Sequence, residues 1–161
     1  MNQKTLSVLL KVVIIGVALC AAFVYCFLVP EMGYSLANAG DGEFADLYTP
    51  WLVVICITAL PVAVALVLAW LIAANIGRGR SFCAENAKYL AVISVLALAD
   101  SVYFFTASMA LMFITKVGHP SVLIFTLMVC FVGVAICVAA AALSHYARKA
   151  YELEKQNELT I

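Results

Sequence analysis

Four long apolar runs, separated by short polar segments, fill most of the chain. They cover residues 8–29, 51–74, 89–114 and 122–143. About 20 predominantly apolar residues are enough for an α-helix to cross roughly 30 Å of hydrocarbon, and each run reaches that length. None of the runs alternates like the roughly ten-residue strands of a membrane barrel. The pattern therefore predicts an all-α, polytopic membrane protein with four transmembrane helices in an up-down bundle.

Composition strengthens this prediction. Of the 161 residues, 66% are hydrophobic and 11% are charged, whereas a typical soluble domain has about 25% charged residues. The segments between the runs are short, so residues 1–161 are predicted to form a single membrane domain. The first run is longer than the roughly 7 to 15 apolar residues of a signal peptide, so we expect it to be retained. Pro30 is predicted to end this first span.

Basic residues are concentrated on one predicted side of the membrane. Eight of the nine lie on this side: Lys4 and Lys11 at the start of span one, Arg78, Arg80 and Lys88 between spans two and three, and Arg148, Lys149 and Lys155 after span four. Lys116 lies on the opposite side. The loop 31–50 has four acidic residues and no Lys or Arg. Because basic loops resist translocation, both termini are predicted to be cytoplasmic. The net charge of zero gives no reason to expect direct binding of nucleic acid.

The connection between spans two and three is the most motif-like part of the chain. Its candidate residues are Gly77, Arg78, Arg80, Ser81, Phe82, Glu85 and Asn86. The glycines permit a turn, Ser81 is predicted to cap the next helix, and Glu85 suits the positive end of its dipole. The glycine pattern of a P-loop is absent. Arg78 and Arg80 are suited to contact anionic lipid headgroups.

Span four has a face of small side chains. Its members are Cys130, Gly133, Cys137, Ala140, Ala141 and Ser144. Small side chains allow membrane helices to approach closely, so this face is predicted to pack against another helix. The sequence leaves open whether that helix belongs to the same chain or to a second copy in a homo-oligomer.

The tail, residues 144–161, is predicted to continue as a cytoplasmic helical extension. Tyr146, Ala150 and Leu153 share one helical face, and Tyr151 is a further aromatic residue of the tail. Glu152 and Lys155 have the spacing of an ion pair. The alternatives are a solvated extension without a function and a surface that binds a cytosolic partner through Tyr146, Tyr151 and Leu153.

Cysteine and histidine spacing does not indicate a redox or metal centre. No CxxC pair is present among the six cysteines, which we interpret as small apolar residues. His119 and His145 are predicted to lie at opposite membrane surfaces, too far apart to share a metal ion. We therefore expect no cofactor, no metal and no enzymatic activity.

Asp100 is the one formal charge near the middle of an apolar run. A carboxylate there costs about 2.5 to 3.5 kcal/mol on insertion scales, so we expect it to be neutral or hydrogen bonded. Thr58 and Ser101 are the predicted polar neighbours, and Pro61 is predicted to bend span two beside them. The alternatives are a proton or cation site and a polar contact that holds helices or subunits together. We favour the polar contact.

Several segments together resemble the small four-helix bacterial membrane proteins of domain-of-unknown-function family 2975. They are residues 61–70, NIGRGRSFCAEN, Leu98–Asp100, AALSH and the terminal QNELTI, and the most specific residues are Gly77, Ser81, Phe82, Glu85, Asn86 and Asp100. The resemblance implies a multi-pass protein of the bacterial cytoplasmic membrane without an established activity. Members are often encoded beside a small helix-turn-helix regulator, which implies such a regulator as a cytosolic partner.

Two classes of function follow from these observations. The first is a non-enzymatic regulatory or interaction protein that binds a cytosolic or membrane partner through the inner connection and the tail. The second is a small oligomeric transporter or channel in which Asp100 lines the path. Four spans are few for an alternating-access carrier, and paired broken helices are absent, so the first class is favoured.

Overall fold

The chain consists of helices joined by short turns. A computed structural model describes residues 2–38, 45–116 and 120–158. The helices are α1 (Gln3–Phe23), a π-helical turn (Val24–Leu28), α2 (Val29–Ala37), a 3₁₀ turn (Ala45–Leu47), α3 (Tyr48–Gly77), α4 (Ala84–Thr115) and α5 (Pro120–Glu158). Four helical stretches are long and apolar enough to cross a membrane: Gln3–Ser35, Tyr48–Gly77, Ala84–Thr115 and Pro120–Asn157. Each stretch contains most or all of one predicted span.

The first helical stretch does not end at Pro30, as the sequence predicted. It passes through the π-helical turn Val24–Leu28 and continues as α2 to Ala37. Pro30 is the second residue of α2, and a proline is tolerated in the first turn of a helix because its missing N–H donor is not needed there. The π-helical turn thus allows one helical stretch to contain this proline.

The helices pack in chain order as antiparallel neighbours. α1 packs against α3, α3 against α4, and α4 against α5. Within the described ranges, α1 makes no substantial contact with α5, so the up-down order is as predicted but the helices form an open row rather than a closed bundle. The side chains of Leu60 and Phe131 are 69% and 76% exposed. In a bilayer, such apolar side chains face lipid, which solvates them as well as a protein core does.

The closest helix pair is α4 and α5, joined along what we call the small-residue seam. Its members are Ala87, Ser94, Ser101 and Ser108 on α4, and Thr126, Cys130, Gly133, Cys137, Ala140 and Ser144 on α5. The Cys130 thiol donates to the Ser101 carbonyl over 3.5 Å, and the Ser144 hydroxyl donates to the Ala87 carbonyl over 2.7 Å. The small face predicted on span four therefore packs within the same chain, except for Ala141, which is exposed.

The start of α1, the α3–α4 connection and the end of α5 meet at one end of the row. The Ser7 hydroxyl donates to the Ala73 carbonyl over 2.6 Å, which fixes α1 beside the end of α3. We call this the basic end, because it carries Lys4, Arg78, Arg80, Lys88, Arg148, Lys149 and Lys155. Its location in the cytoplasm stays a prediction from the distribution of charge. Residues 159–161 of the predicted tail, and His119, lie outside the described residues.

Candidate interaction site at the basic end

A buried amide network fixes the α3–α4 connection. The Asn75 amide donates to Oδ1 of Asn86 over 2.8 Å, and Arg80 donates to Oδ1 of Asn75 over 3.3 Å. The Asn86 amide in turn donates to the carbonyls of Arg80 and Ser81, over 3.2 and 3.0 Å. Asn86 is only 2% exposed. Because buried amides are costly without partners, this chain of hydrogen bonds holds the connection in one conformation.

Two glycines make this connection possible. Gly79 has a φ of 80°, in the left-handed region where a side chain is strained. Gly77 ends α3, and a Cβ atom there would lie 2.6 Å from the Ser7 hydroxyl oxygen. The predicted turn role of Gly77 and Gly79 thus has two causes, a close helix contact at Gly77 and a backbone conformation at Gly79.

The predicted cap of the following helix is wrong. α4 begins at Ala84 with Cys83 as its N-cap, and the Cys83 side chain makes no capping hydrogen bond. Ser81 lies too early in the chain to cap, and its carbonyl accepts a hydrogen bond from Asn86 instead. Glu85 does lie in the first turn of α4, as predicted. Of the other predicted motif residues, Arg78 and Phe82 are exposed at the surface.

Sequence reasoning did not single out two of the buried polar residues here. Asn75 is 8% exposed and Ser7 is 4% exposed, and both hold helices together. In the sequence, each is a polar residue near the end of an apolar run. Such a residue is difficult to distinguish from an ordinary residue at the membrane interface. Lys11, placed at the opening of span one, lies over the Trp70 ring, with Nζ 5.3 Å from its centroid. This cation–π contact adds a further link between α1 and α3.

The tail continues the fourth span without a break. α5 runs from Pro120 to Glu158, so its last 15 residues extend beyond the apolar run that ends at Leu143. Tyr146 and Leu153 are 68% and 54% exposed, and Tyr151 is half-buried. Glu152 pairs with Arg148 over 3.2 Å, rather than with Lys155 as its spacing suggested. Such an exposed pair stabilises a helix by only about 0.3 to 0.5 kcal/mol.

Asp100 lies apart from the basic end, near the middle of α4. It is half-buried and makes no hydrogen bond or ion pair within the described part of the chain. Asp100 follows Asn86 by fourteen residues, and Pro61 precedes Asn75 by fourteen. Because Asn75 and Asn86 pair across antiparallel helices, Asp100 and Pro61 lie at the same level, about 21 Å along each helix.

The predicted neighbours of Asp100 are hydrogen bonded elsewhere. The Thr58 hydroxyl lies 2.8 Å from the Tyr25 hydroxyl and donates to the Ile55 carbonyl over 2.6 Å. The Ser101 hydroxyl donates to the Ala97 carbonyl over 2.8 Å. The structure therefore does not join Asp100, Thr58 and Ser101 by hydrogen bonds. α3 stays α-helical through Pro61.

Metal ligands do not converge in the part of the chain that the structure describes. No three His, Cys, Asp or Glu side chains there lie close enough to hold a metal ion. The described cysteines are free thiols, and three of them, Cys20, Cys26 and Cys56, are exposed. The side chains present at the basic end include amides, basic groups and aromatic rings.

Four long apolar helices, with most of their basic residues at one end, define a multi-pass α-helical membrane protein. The chain belongs to the family described as "Protein of unknown function (DUF2975)", whose model matches residues 33–161. It is 25% identical over 164 residues to the "Uncharacterized membrane protein YoaS" of Bacillus subtilis (strain 168), covering 99% of both chains. No solved structure matches the chain. The family resemblance seen in the sequence is confirmed, and neither description assigns an activity.

Proposed function

We propose that this protein is a non-enzymatic regulatory or interaction protein that binds a cytosolic partner at its basic end. The observation that carries the proposal is the continuation of α5 to Glu158, with Tyr146 and Leu153 exposed beyond the apolar run. Lipid solvates the apolar side chains within the spans, but Leu153 lies ten residues, or about 15 Å, beyond Leu143 and so past the headgroups, where lipid does not cover it. Exposed aromatic and aliphatic residues on one helical face are typical of a helix that docks into a partner's groove.

The base of this extension is rigid, which supports a role in recognition. Ser144 bonds α5 to the Ala87 carbonyl on α4, and the amide network of Asn75 and Asn86 fixes the start of α4. A helix held at its base reaches its partner with less loss of conformational entropy than a flexible tail would. The family resemblance suggests a small helix-turn-helix regulator as the partner, sequestered at the membrane while bound.

Replacing the exposed apolar face of the extension should weaken partner binding. We expect the double variant Tyr146→Ala/Leu153→Ala to lower affinity for the proposed helix-turn-helix regulator by at least tenfold, because truncating a hot-spot residue of an interface costs about 2 kcal/mol or more. The measurement is binding of the purified regulator to the full chain in lipid nanodiscs.

Lys155→Ala is the matched control, because Lys155 lies on the opposite face of the same helix. It should bind as the parent does. If the double variant and the control bind the regulator equally well, the extension is not the docking surface. If the parent does not bind the regulator, the choice of partner is wrong.

A small oligomeric transporter is the second candidate, favoured by the half-buried Asp100 without a hydrogen-bond partner in the described chain. On this proposal, Asp100→Asn abolishes proton or cation flux in liposomes, because an amide does not exchange a proton at neutral pH. Thr106→Val is the control: Thr106 is exposed on the same helix, and its hydroxyl bonds its own backbone. An equal flux in Asp100→Asn and the parent, or no flux in the parent, would contradict transport.

A further inference from the structure

A groove lies between α4 and α5 where the two helices reach the membrane boundary. It has a volume of about 250 Å³ and is lined by Ala91, Ser94, Ala141, Ser144, His145 and Arg148. A second concavity along α5 adjoins it and shares His145 and Arg148, adding Lys149 and Glu152. The groove begins within the spans and opens at the basic end.

The two parts of the groove differ in chemistry. Its inner wall is small and neutral: Ala91 and Ala141 have no polar side-chain atoms, and the Ser94 and Ser144 hydroxyls already donate to the carbonyls of Ala91 and Ala87. Its outer rim holds the imidazole of His145 and the guanidinium of Arg148. The apolar part follows the spans, and the basic part begins directly after Leu143, where the apolar run ends.

We propose that this groove binds an anionic phospholipid, with an acyl chain along Ala91 and Ala141 and the phosphate at His145, Arg148 and Lys149. A phospholipid has an apolar acyl chain inside the membrane and a phosphate at its surface. The groove has the same order, with an apolar wall within the spans and basic side chains where the spans end. Arginine recognises phosphate oxygens through two parallel N–H groups. A net negative headgroup is favoured, because juxtamembrane basic residues attract anionic lipid.

Glu152 competes with the lipid for Arg148. Its carboxylate accepts a hydrogen bond from the Arg148 Nε over 3.2 Å, and both side chains are well exposed. When a phosphate binds at the rim, Arg148 therefore loses a weak, exposed ion pair with Glu152 and gains a charge-assisted hydrogen bond to the phosphate. Neutralising Glu152 should consequently strengthen lipid binding. If the Arg148–Glu152 pair only stabilised the helix, the substitution would leave lipid binding unchanged.

Native mass spectrometry of the full chain in mild detergent tests the site. The probes are phosphatidylglycerol and phosphatidylcholine with identical acyl chains. We expect the parent to prefer phosphatidylglycerol, Arg148→Gln/Lys149→Gln to lower its binding by at least fivefold per charge removed, and Glu152→Gln to raise it. Lys155→Gln, farther along the extension, should bind as the parent does.

The acyl part of the site needs its own variants. Ala141→Phe fills the groove from α5 and Ala91→Phe fills it from α4; both positions are exposed, so the α4–α5 contact should survive. Each should lower the binding of both lipids, with an unchanged helical circular dichroism spectrum. Equal binding by Arg148→Gln/Lys149→Gln and Lys155→Gln would overturn the proposal. Binding of inorganic phosphate that needs Arg148 and Lys149, in a parent that shows no preference for phosphatidylglycerol over phosphatidylcholine, would instead identify a free-anion site and overturn it too.

Discussion

Replacing Gly133 with leucine should separate α4 from α5. A Cβ atom at this position would overlap the Ser101 hydroxyl oxygen and lie 3.3 Å from the Ser101 Cβ. The Ser101 hydroxyl can rotate away from a methyl group, but a leucine side chain has no space between helices this close. Overpacking of this kind costs about 1 to 3 kcal/mol, and more where two backbones are in contact. The measurement is the unfolding midpoint in an SDS titration of protein in mixed micelles.

Gly16→Leu is the matched control. A Cβ atom at Gly16 meets nothing within 4 Å, so a leucine there faces lipid, and the midpoint should not fall. Gly133→Ala should lower the midpoint less than Gly133→Leu does. Adding Ser101→Gly to Gly133→Ala should recover most of the loss caused by Gly133→Ala, because it removes the overlapped hydroxyl. Equal midpoints for Gly133→Leu and Gly16→Leu would show that the seam is not closely packed.

Asn86→Ala should release the α3–α4 connection. The substitution leaves the Asn75 amide without its 2.8 Å acceptor, and the carbonyls of Arg80 and Ser81 lose their side-chain donor. A buried polar group left unpaired costs about 1 to 3 kcal/mol, so the summed loss is among the largest expected of a single substitution here. Hydrogen–deuterium exchange of the protein in nanodiscs should show faster exchange across residues 75–87.

Asn38→Ala provides the comparison, because the Asn38 amide is exposed and bonds a carbonyl on its own helix. It should leave exchange across 75–87 unchanged and alter the unfolding midpoint little. If Asn86→Ala exchanges as slowly as the parent, backbone contacts alone fix the connection and the amide network is dispensable.

The helices themselves were readable from the sequence, and their packing was only partly so. The length of each apolar run predicts one span, because a helix needs about 20 apolar residues to cross a hydrocarbon core roughly 30 Å thick. Small residues on span four predicted close packing, but the α4 side of the seam, Ala87, Ser94, Ser101 and Ser108, repeats only every seventh residue and was not recognised. The open row could not be predicted, since lipid and protein are equally good solvents for leucine and the apolar pattern does not specify which faces meet.

Local backbone details were the least predictable. Pro30 indicated a helix end, and the π-helical turn before it instead carries the helix on to Ala37. Ser81 had suitable chemistry for a cap, but the Asn86 amide bonds the carbonyls of residues 80 and 81 and the helix starts at Ala84. In both cases a contact of the whole fold, or a rare helical turn, overrode a sound local preference. Asn75 was missed for the same reason, because its partner lies eleven residues away.

Photo-cross-linking in living cells tests most directly whether the helical extension at the basic end is the interaction surface. A photoreactive amino acid is placed in turn at Tyr146, Leu153, Lys155 and Leu127, the last of which faces lipid within a span. On the proposed function, we predict cross-links to a helix-turn-helix regulator from positions 146 and 153 and none from positions 155 and 127. Cross-links of equal yield from position 127, or none from 146 and 153, would contradict the account.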